Sequence, residues 1–210
     1  MNDARIPPQV VVFDLGKVLL DFDFGRAAAA LAARSVRNAE EIRVALDQSP
    51  LLHRYETGLM SSDEFFLAVS RAVGYSGSNE EFDLSFGDIF TEIPAMIDMH
   101  EGLRRLGIST YIFSNTNELA VRWIRKVYPF FTEFSGYVFS FEHGAMKPNA
   151  KLYDVVEAMT NRRGSEILYL DDRQENIDAG SARGWQTICH QDPAQSIQRV
   201  SKFFRLNRKN

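Results

Sequence analysis

The sequence predicts an α/β fold: a doubly wound, mostly parallel sheet with a helical insertion. Three observations predict it. Residues 10–14 read VVVFD, a continuous apolar, β-branched run of the kind buried on both faces of a parallel sheet. Similar runs recur at 110–114 (TYIFS), 136–140 (GYVFS), 167–170 (ILYL) and 187–189, with helical patterns between them. Strands alternating with helices specify a parallel sheet covered on its faces. Residues 24–93 break that alternation, showing helical patterns and no convincing buried strand.

Each element has its own warrant. Residues 27–33 are nearly all Ala and Leu, the strongest helix formers. Helical patterns follow at 39–46, 62–73 and 79–90. Ser62-Asp63-Glu64 before an apolar run reads as a helix start and Gly74 as its stop. An insertion over 24–93 thus separates the first strand from the rest of the sheet. The next helix, 94–106, has Pro94 in its first turn and Gly107 just past its end. Helices at 117–126, 150–160 and 174–183 link the later strands. No internal repeat is visible, and the alanine-rich 27–33 segment is a short bias.

Composition narrows the classes. The chain has 210 residues, 45% hydrophobic and 25% charged, enough for one or two domains with a core that needs no staples. Its single cysteine, Cys189, has no partner for an internal bridge and suits a reducing compartment. No apolar run approaches the roughly 20 residues of a membrane helix, and the opening MNDARIPPQ lacks a signal-peptide core. A cytoplasmic protein without a membrane partner is expected. The net charge of −4 argues against an extended nucleic-acid-binding face. Lys202, Arg205, Arg208 and Lys209 form a small basic tail, read as a solvated, frayed end. Moderate charge and no obvious apolar stripe fit a monomer or weak homodimer.

Chemistry gathers at the strand ends. Asp14, Ser114 and the pair Asp171/Asp172 end strands, and Lys147 follows a loop. Ligands bind at the carboxyl edge of open parallel sheets. Three carboxylates at one edge repel each other and call for a cation, and a hard-oxygen donor set favours Mg²⁺. Asp14 beside that metal would stay ionised and attack phosphorus. Ser114 and nearby backbone N–H groups would hold phosphate oxygens, with Asn115 opening a helix whose N-terminus favours anions. Lys147 would neutralise charge on the nucleophile and the phosphoryl group.

These residues stand in four ordered segments: FDLGKVLLDFD (13–23), FSNTN (113–117), GAMKPNAKLY (144–153) and YLDDRQENIDAG (169–180). Their order resembles the four motifs of the haloacid dehalogenase-like (HAD) hydrolase superfamily, over about residues 10–190. The insertion, with HRYETGLMSSDEFF at 53–66, is similar to the small α-helical cap of FDLGxV-type bacterial sugar-phosphate phosphatases. The resemblance implies a HAD-like Rossmannoid core over 1–21 and 93–210 with a cap over 22–92. It implies Asp14 as nucleophile, Ser114 as phosphate binder helped by Asn115, and Lys147 as the motif-three lysine. Asp172 matches the direct Mg²⁺ ligand, Asp171 a carboxylate on the metal's water shell, and Asn176 a polar group orienting the last motif. The Gly16 carbonyl would reach the metal. The implied activity is Mg²⁺-dependent hydrolysis of a small phosphorylated metabolite, a sugar phosphate favoured, through an aspartyl-phosphate.

Gly16 departs from the superfamily's commoner pattern, which has an acid/base Asp two residues after the nucleophile. The FDLGxV group shares this glycine. A water, a substrate hydroxyl or a cap residue is left to serve instead, and a weak or inactive phospho-ligand binder is an alternative reading. A 2-haloacid dehalogenase is disfavoured by Gly16 and the acidic pair, and a phosphomutase by the lack of a proton shuttle. A phosphoacceptor receiver domain is disfavoured by length, by the late acidic pair and by the insertion.

Other residues carry two readings each. Asp21 and Asp23 suit turns or substrate contact. Arg54 and Glu56, with His53 before Gly58, suit either a loop aimed at substrate or a solvated helix end. Asn117 suits a helix cap or a substrate contact. His143 reads as a loop residue, His100 and His190 as structural, and Cys189 as a buried strand residue. Phe130, Phe131 and Phe134 read as core beside the 136–140 strand. No His/Cys spacing suggests zinc.

Overall fold

The computed structural model describes residues 7–47 and 49–204. The predicted basic-tail residues Arg205, Arg208 and Lys209 lie outside the described residues. Strand β1 (Val10–Phe13) is followed by β2 (Leu20–Phe22) and helices α1 (Phe24–Ala32), α2 (Ala39–Leu46), α3 (Pro50–Glu56), α4 (Ser62–Val73) and α5 (Asn79–Gly87). Strand β3 (Phe90–Glu92) and helix α6 (Pro94–Arg105) lead into β4 (Ser109–Ser114), α7 (Glu118–Val127), a 3₁₀ turn (Pro129–Glu133) and β5 (Gly136–Phe139). Short α8 (Ser140–His143), α9 (Ala150–Thr160), β6 (Ile167–Asp171), α10 (Gln174–Ala182), β7 (Gln186–Cys189) and α11 (Pro193–Val200) complete the chain.

Five strands pair in parallel in the order β5-β4-β1-β6-β7. This is the expected mostly parallel α/β sheet, with β1 at its centre. The alternation of β1 explains its all-apolar sequence. Val11 and Phe13 enter one cluster with Met96, Leu103, Ile124 and Phe131, while Val10 and Val12 enter another with Tyr153, Val156, Tyr169 and Trp185. Phe130, Phe131 and Phe134 are buried in the first cluster, as expected. A third cluster joins the insertion helices through Leu31, Ile42, Leu52, Tyr55, Phe65 and Phe82, and Leu119 of α7 packs into it.

The structure departs from the expectation in several elements. The insertion is closed at its base by an antiparallel ribbon in which Leu20 pairs with Glu92 and Phe22 with Phe90. The 79–90 helix therefore stops at Gly87, and a strand stands where the sequence pattern predicts none. Its three residues are largely exposed and too few to show an alternation. Helices α3, α8 and α11 are additional to those the sequence pattern predicts, and α8 takes in His143, which the sequence suggests is a loop residue. Cys189 is only half-buried, because β7 is an edge strand. The structural readings of two histidines fit: His100 Nε2 meets Thr110 Oγ1 at 3.0 Å, and His190 Nδ1 meets Ser196 Oγ at 2.8 Å. No helix among the described residues is long and apolar enough to cross a membrane.

Candidate active site

The sheet register assembles the site. Phe13 lies opposite Leu170 on β6, so Asp14 and Asp171 are each one residue further along neighbouring strands. Neighbouring strands run about 4.8 Å apart, and alternation sends both carboxyls toward the Val12 and Tyr169 side. One carboxylate oxygen from each of Asp14, Asp171 and Asp172 can be chosen so that all three lie within 4.8 Å of one another.

Lys147 ties two of these together. Its side chain is 1% exposed, and Nζ stands 3.0 Å from Asp14 Oδ1 and 2.6 Å from Asp171 Oδ2. Nζ also donates to the Phe113 carbonyl at 2.9 Å. Asn115 holds the Lys147 backbone from both sides: its Oδ1 accepts from Lys147 N at 2.7 Å, and its Nδ2 donates to Lys147 O at 3.1 Å. Asp171 is fully buried and accepts from Arg173 N at 2.8 Å and from Asn176 Nδ2 at 2.9 Å, besides Lys147. The Tyr169 hydroxyl also donates to it.

The charges follow from this packing. Burial pushes the Asp14 carboxyl up to about 7, with the charges of Asp171 and Asp172 adding to it and Lys147 opposing. Asp172 is raised by burial first and by Asp171 second. Burial acts on Asp171 in the same direction, yet the Lys147 ammonium and the surrounding donors outweigh it and hold Asp171 below the ordinary carboxylate value. Lys147 is raised, because Asp14 and Asp171 together overcome its own burial.

This donor set fits a hard divalent cation. Asp14 and Asp172 are crowded carboxylates whose ionised forms the protein alone disfavours. Asn176 adds a buried Oδ1 with no hydrogen-bond partner among the described residues, on the same amide that serves Asp171. Oxygen donors of this kind suit Mg²⁺, which keeps several waters and takes one or two carboxylates.

A cavity of about 290 Å³ opens in front of Asp14, with Gly16, Asn115, Lys147, Asp172 and Asn176 on the sheet side. A Cβ at position 16 would stand 2.9 Å from the Phe22 ring, which would have to shift to admit a side chain there. The insertion contributes Ser49, Leu52, His53 and Glu56, one face of α3.

The expected contacts separate accordingly. Arg54 is exposed on the outer side of α3, away from the cavity, whereas Glu56 is in its wall. Asn117 is buried as the cap of α7, its Oδ1 accepting from Ala120 N at 2.9 Å, and it does not line the cavity. Ser114 sits just behind the wall formed by Asn115, its hydroxyl donating to the Asn115 carbonyl at 3.3 Å. Asp23 caps α1, and Asp21 pairs with Lys17.

Three further residues at the site, Tyr169, Lys17 and Arg173, stand inside the motif segments, which assign them no role. Tyr169 opens the 169–180 segment as one more residue of an apolar strand, and only its hydroxyl reaches the site. Tyr169→Phe is expected to lower stability by about 1.5–3 kcal/mol, the worth of one hydrogen bond to a charged group. A urea titration against wild type measures it, and unchanged stability would show that the hydroxyl is not needed there.

The matches to known proteins agree with this geometry. The family model for haloacid dehalogenase-like hydrolases matches residues 8–184. A D-ribitol-5-phosphate phosphatase from Bacteroides thetaiotaomicron is 26% identical over 203 residues, covering 91% of this chain and 96% of that protein. A HAD family enzyme from the same organism, solved with magnesium and inorganic phosphate, superimposes with a TM-score of 0.77 at 21% identity, over 88% of this chain and 94% of that one. A predicted HAD-like family hydrolase from Porphyromonas gingivalis gives a TM-score of 0.74 at 24% identity, over 93% of this chain and 98% of that one. With four motifs in order, a five-stranded parallel sheet and a family match across most of its length, the chain belongs to the haloacid dehalogenase-like hydrolases.

Proposed function

We propose that the protein is a Mg²⁺-dependent phosphatase acting on a small phosphorylated metabolite, a sugar or polyol phosphate first. The observation that carries this reading is Asp14 at the end of the central strand, held 3.0 Å from buried Lys147 within an acidic trio. The ribitol-phosphate phosphatase relative and the magnesium-phosphate complex of a structural neighbour support it. The same reading divides the chain into a core, 1–21 and 93–210, and a helical cap, 22–92, with substrate between them.

In this mechanism Asp14 attacks the phosphorus and forms an aspartyl-phosphate, which water then hydrolyses. Asp14, Asp172 and the Gly16 carbonyl would hold Mg²⁺, which would neutralise phosphoryl charge when bound. Lys147 orients the Asp14 carboxylate and offsets its charge. Asp171 and Asn176 keep Lys147 and the last motif in place, with Ser114 and Asn115 beside the phosphoryl group. The cavity of about 290 Å³ suits a short hydroxylated chain, and closure of the cap over it would exclude bulk water.

The test is phosphate release from a panel of sugar and polyol phosphates, D-ribitol 5-phosphate included, with Mg²⁺ and then with EDTA. Release that EDTA abolishes is expected. Phosphate-ester binding without release would instead favour the inactive binder, and chloride release from 2-chloropropionate would favour a dehalogenase.

A further inference from the structure

We propose that Glu56, on helix α3, is the acid and base of this reaction, giving a proton to the leaving group and taking one from the attacking water. The proposal rests on the phosphatase reading above. Expelling an alkoxide from an alkyl phosphate needs a proton as the P–O bond breaks. The donor must line the cavity, be free of competing bonds and exchange a proton near neutral pH.

Among the groups around the cavity, one is both unengaged and shielded from bulk solvent. Gly16 has no side chain, and Phe22 occupies the space beside it. Lys147 is bound to Asp14, Asp171 and the Phe113 carbonyl. Lys17 is bound to Asp21 and to the Phe22 carbonyl. Asp47 lies 3.5 Å from Arg43, and Arg173 pairs with Glu175 at 2.6 Å; an arginine also keeps its proton. His53 also lines the cavity, but its side chain is exposed to bulk solvent rather than held in the wall. Glu56 is partly buried in the wall, and among the described residues no hydrogen bond or ion pair engages its carboxyl.

Its position is fixed from both sides. Next to it, the Tyr55 hydroxyl accepts from Leu119 N of α7 at 3.1 Å and bonds Ser62 Oγ at 2.7 Å. Two residues on, Gly58 has φ +74°, and its backbone lies so close to α8 that a Cβ would stand 2.1 Å from the Phe141 carbonyl oxygen. Both contacts seat the end of α3 on the sheet domain, so Glu56 lines the same cavity as Asp14 from a held helix end.

The charges suit the role. Burial pushes the Glu56 carboxyl up to about 7, and Arg173 opposes that rise. Lys17, Lys147, Asp14, Asp47 and Asp172 share the cavity with it, and His53 stands on its own helix. Near neutral pH the group can therefore give a proton and take one back.

The steps balance. Asp14 forms a bond to phosphorus as the ester P–O bond breaks, and the Glu56 proton goes to the departing oxygen, releasing an alcohol. Glu56, now a carboxylate, takes a proton from a water molecule as that water's oxygen attacks the same phosphorus. The Asp14–phosphorus bond breaks, leaving inorganic phosphate and both carboxyl groups as they began.

Glu56→Gln keeps the shape and removes the proton, so wild type and variant are compared with Mg²⁺ on D-ribitol 5-phosphate and on p-nitrophenyl phosphate. The variant is expected to lose on the order of 10²–10⁴-fold in kcat on the alkyl ester. On the nitrophenyl ester, whose leaving group needs no proton, it is expected to give a rapid burst of one equivalent of nitrophenolate followed by slow turnover. Glu56→Asp, which keeps the carboxyl, should recover part of the rate. A Glu56→Gln enzyme within about threefold of wild type on the alkyl ester would overturn the proposal. An equal loss on both esters without a burst would also overturn it, showing a role in positioning alone. Absence of phosphate release by the wild type on both esters and across the sugar and polyol phosphate panel would overturn the phosphatase reading itself.

Discussion

Asp14→Asn is expected to abolish phosphate release and, in metal-free buffer, to make the protein more heat-stable. The first effect follows from chemistry: an amide does not attack phosphorus, and loss of a nucleophile costs on the order of 10⁴-fold or more. The second follows from the electrostatics of the site. The folded-state value of Asp14 is raised from 3.8 to about 7, so folding disfavours its ionised form. For a raised acid, the associated stability is fully present below the unfolded value and is lost as pH climbs from about 4 to about 7. Asparagine removes that loss, so the variant should melt several degrees above wild type at about pH 8, at roughly 2–4 °C per kcal/mol for a chain of this size. Near pH 4 the gap should close. Melts in EDTA at the two pH values check this, and a variant that melts below wild type at the higher pH would show that Lys147 more than offsets the burial of the carboxylate. Mg²⁺ should raise the wild-type melting temperature, since a ligand that binds only the folded state stabilises it by mass action.

The same physics explains how much of the fold and the site is legible in the sequence. Buried parallel strands are written as apolar runs, so β1, β4, β5, β6 and β7 are visible there, and with them the strand-end residues Asp14, Ser114 and Asp171. Strand order is not written locally. That Asp14 and Asp171 sit side by side follows from β6 pairing with β1, a contact between residues far apart in the chain. Helices α3 and α11 both open on a capping residue followed by proline, Ser49-Pro50 and Asp192-Pro193, signals that are short and easily passed over. Without α3, Arg54 and Glu56 read as neighbours sharing one role. In a helix their side chains point about 160° apart, given 3.6 residues per turn. Ribbon strand β3 has no pattern to read, since exposed residues are chosen for solubility rather than packing. Tyr169 reads as core and is core, but its hydroxyl reaches Asp171, a polar contact that only side-chain geometry reveals.

Lys147→Met should damage stability as much as activity. The lysine side chain is 1% exposed, and it lies between two carboxylates that are themselves 11% and 0% exposed. A methionine of similar length fills the space and contacts the rings of Phe113 and Tyr169 that the ammonium now faces at 5.0 and 5.8 Å. It supplies no charge, so Asp14 and Asp171 are left facing each other. Breaking a buried pair in this way typically costs about 3–5 kcal/mol, far more than a surface ion pair would. The loss should depend on pH. Asp171 is held below the ordinary carboxylate value, so its stabilisation is present above the unfolded value of 3.8 and is lost as pH falls through the folded one. In Lys147→Met the cause of that depression is gone, and the difference from wild type should therefore narrow in acid. Adding Asp14→Asn to Lys147→Met removes one of the two abandoned carboxylates. The double variant should then gain more from Asp14→Asn than the wild type does, a non-additivity expected of groups in contact. Urea titrations of the four proteins at neutral and acid pH measure both effects. Strict additivity, or a deficit that does not change with pH, would mean that Lys147 acts through packing rather than through the charges it joins.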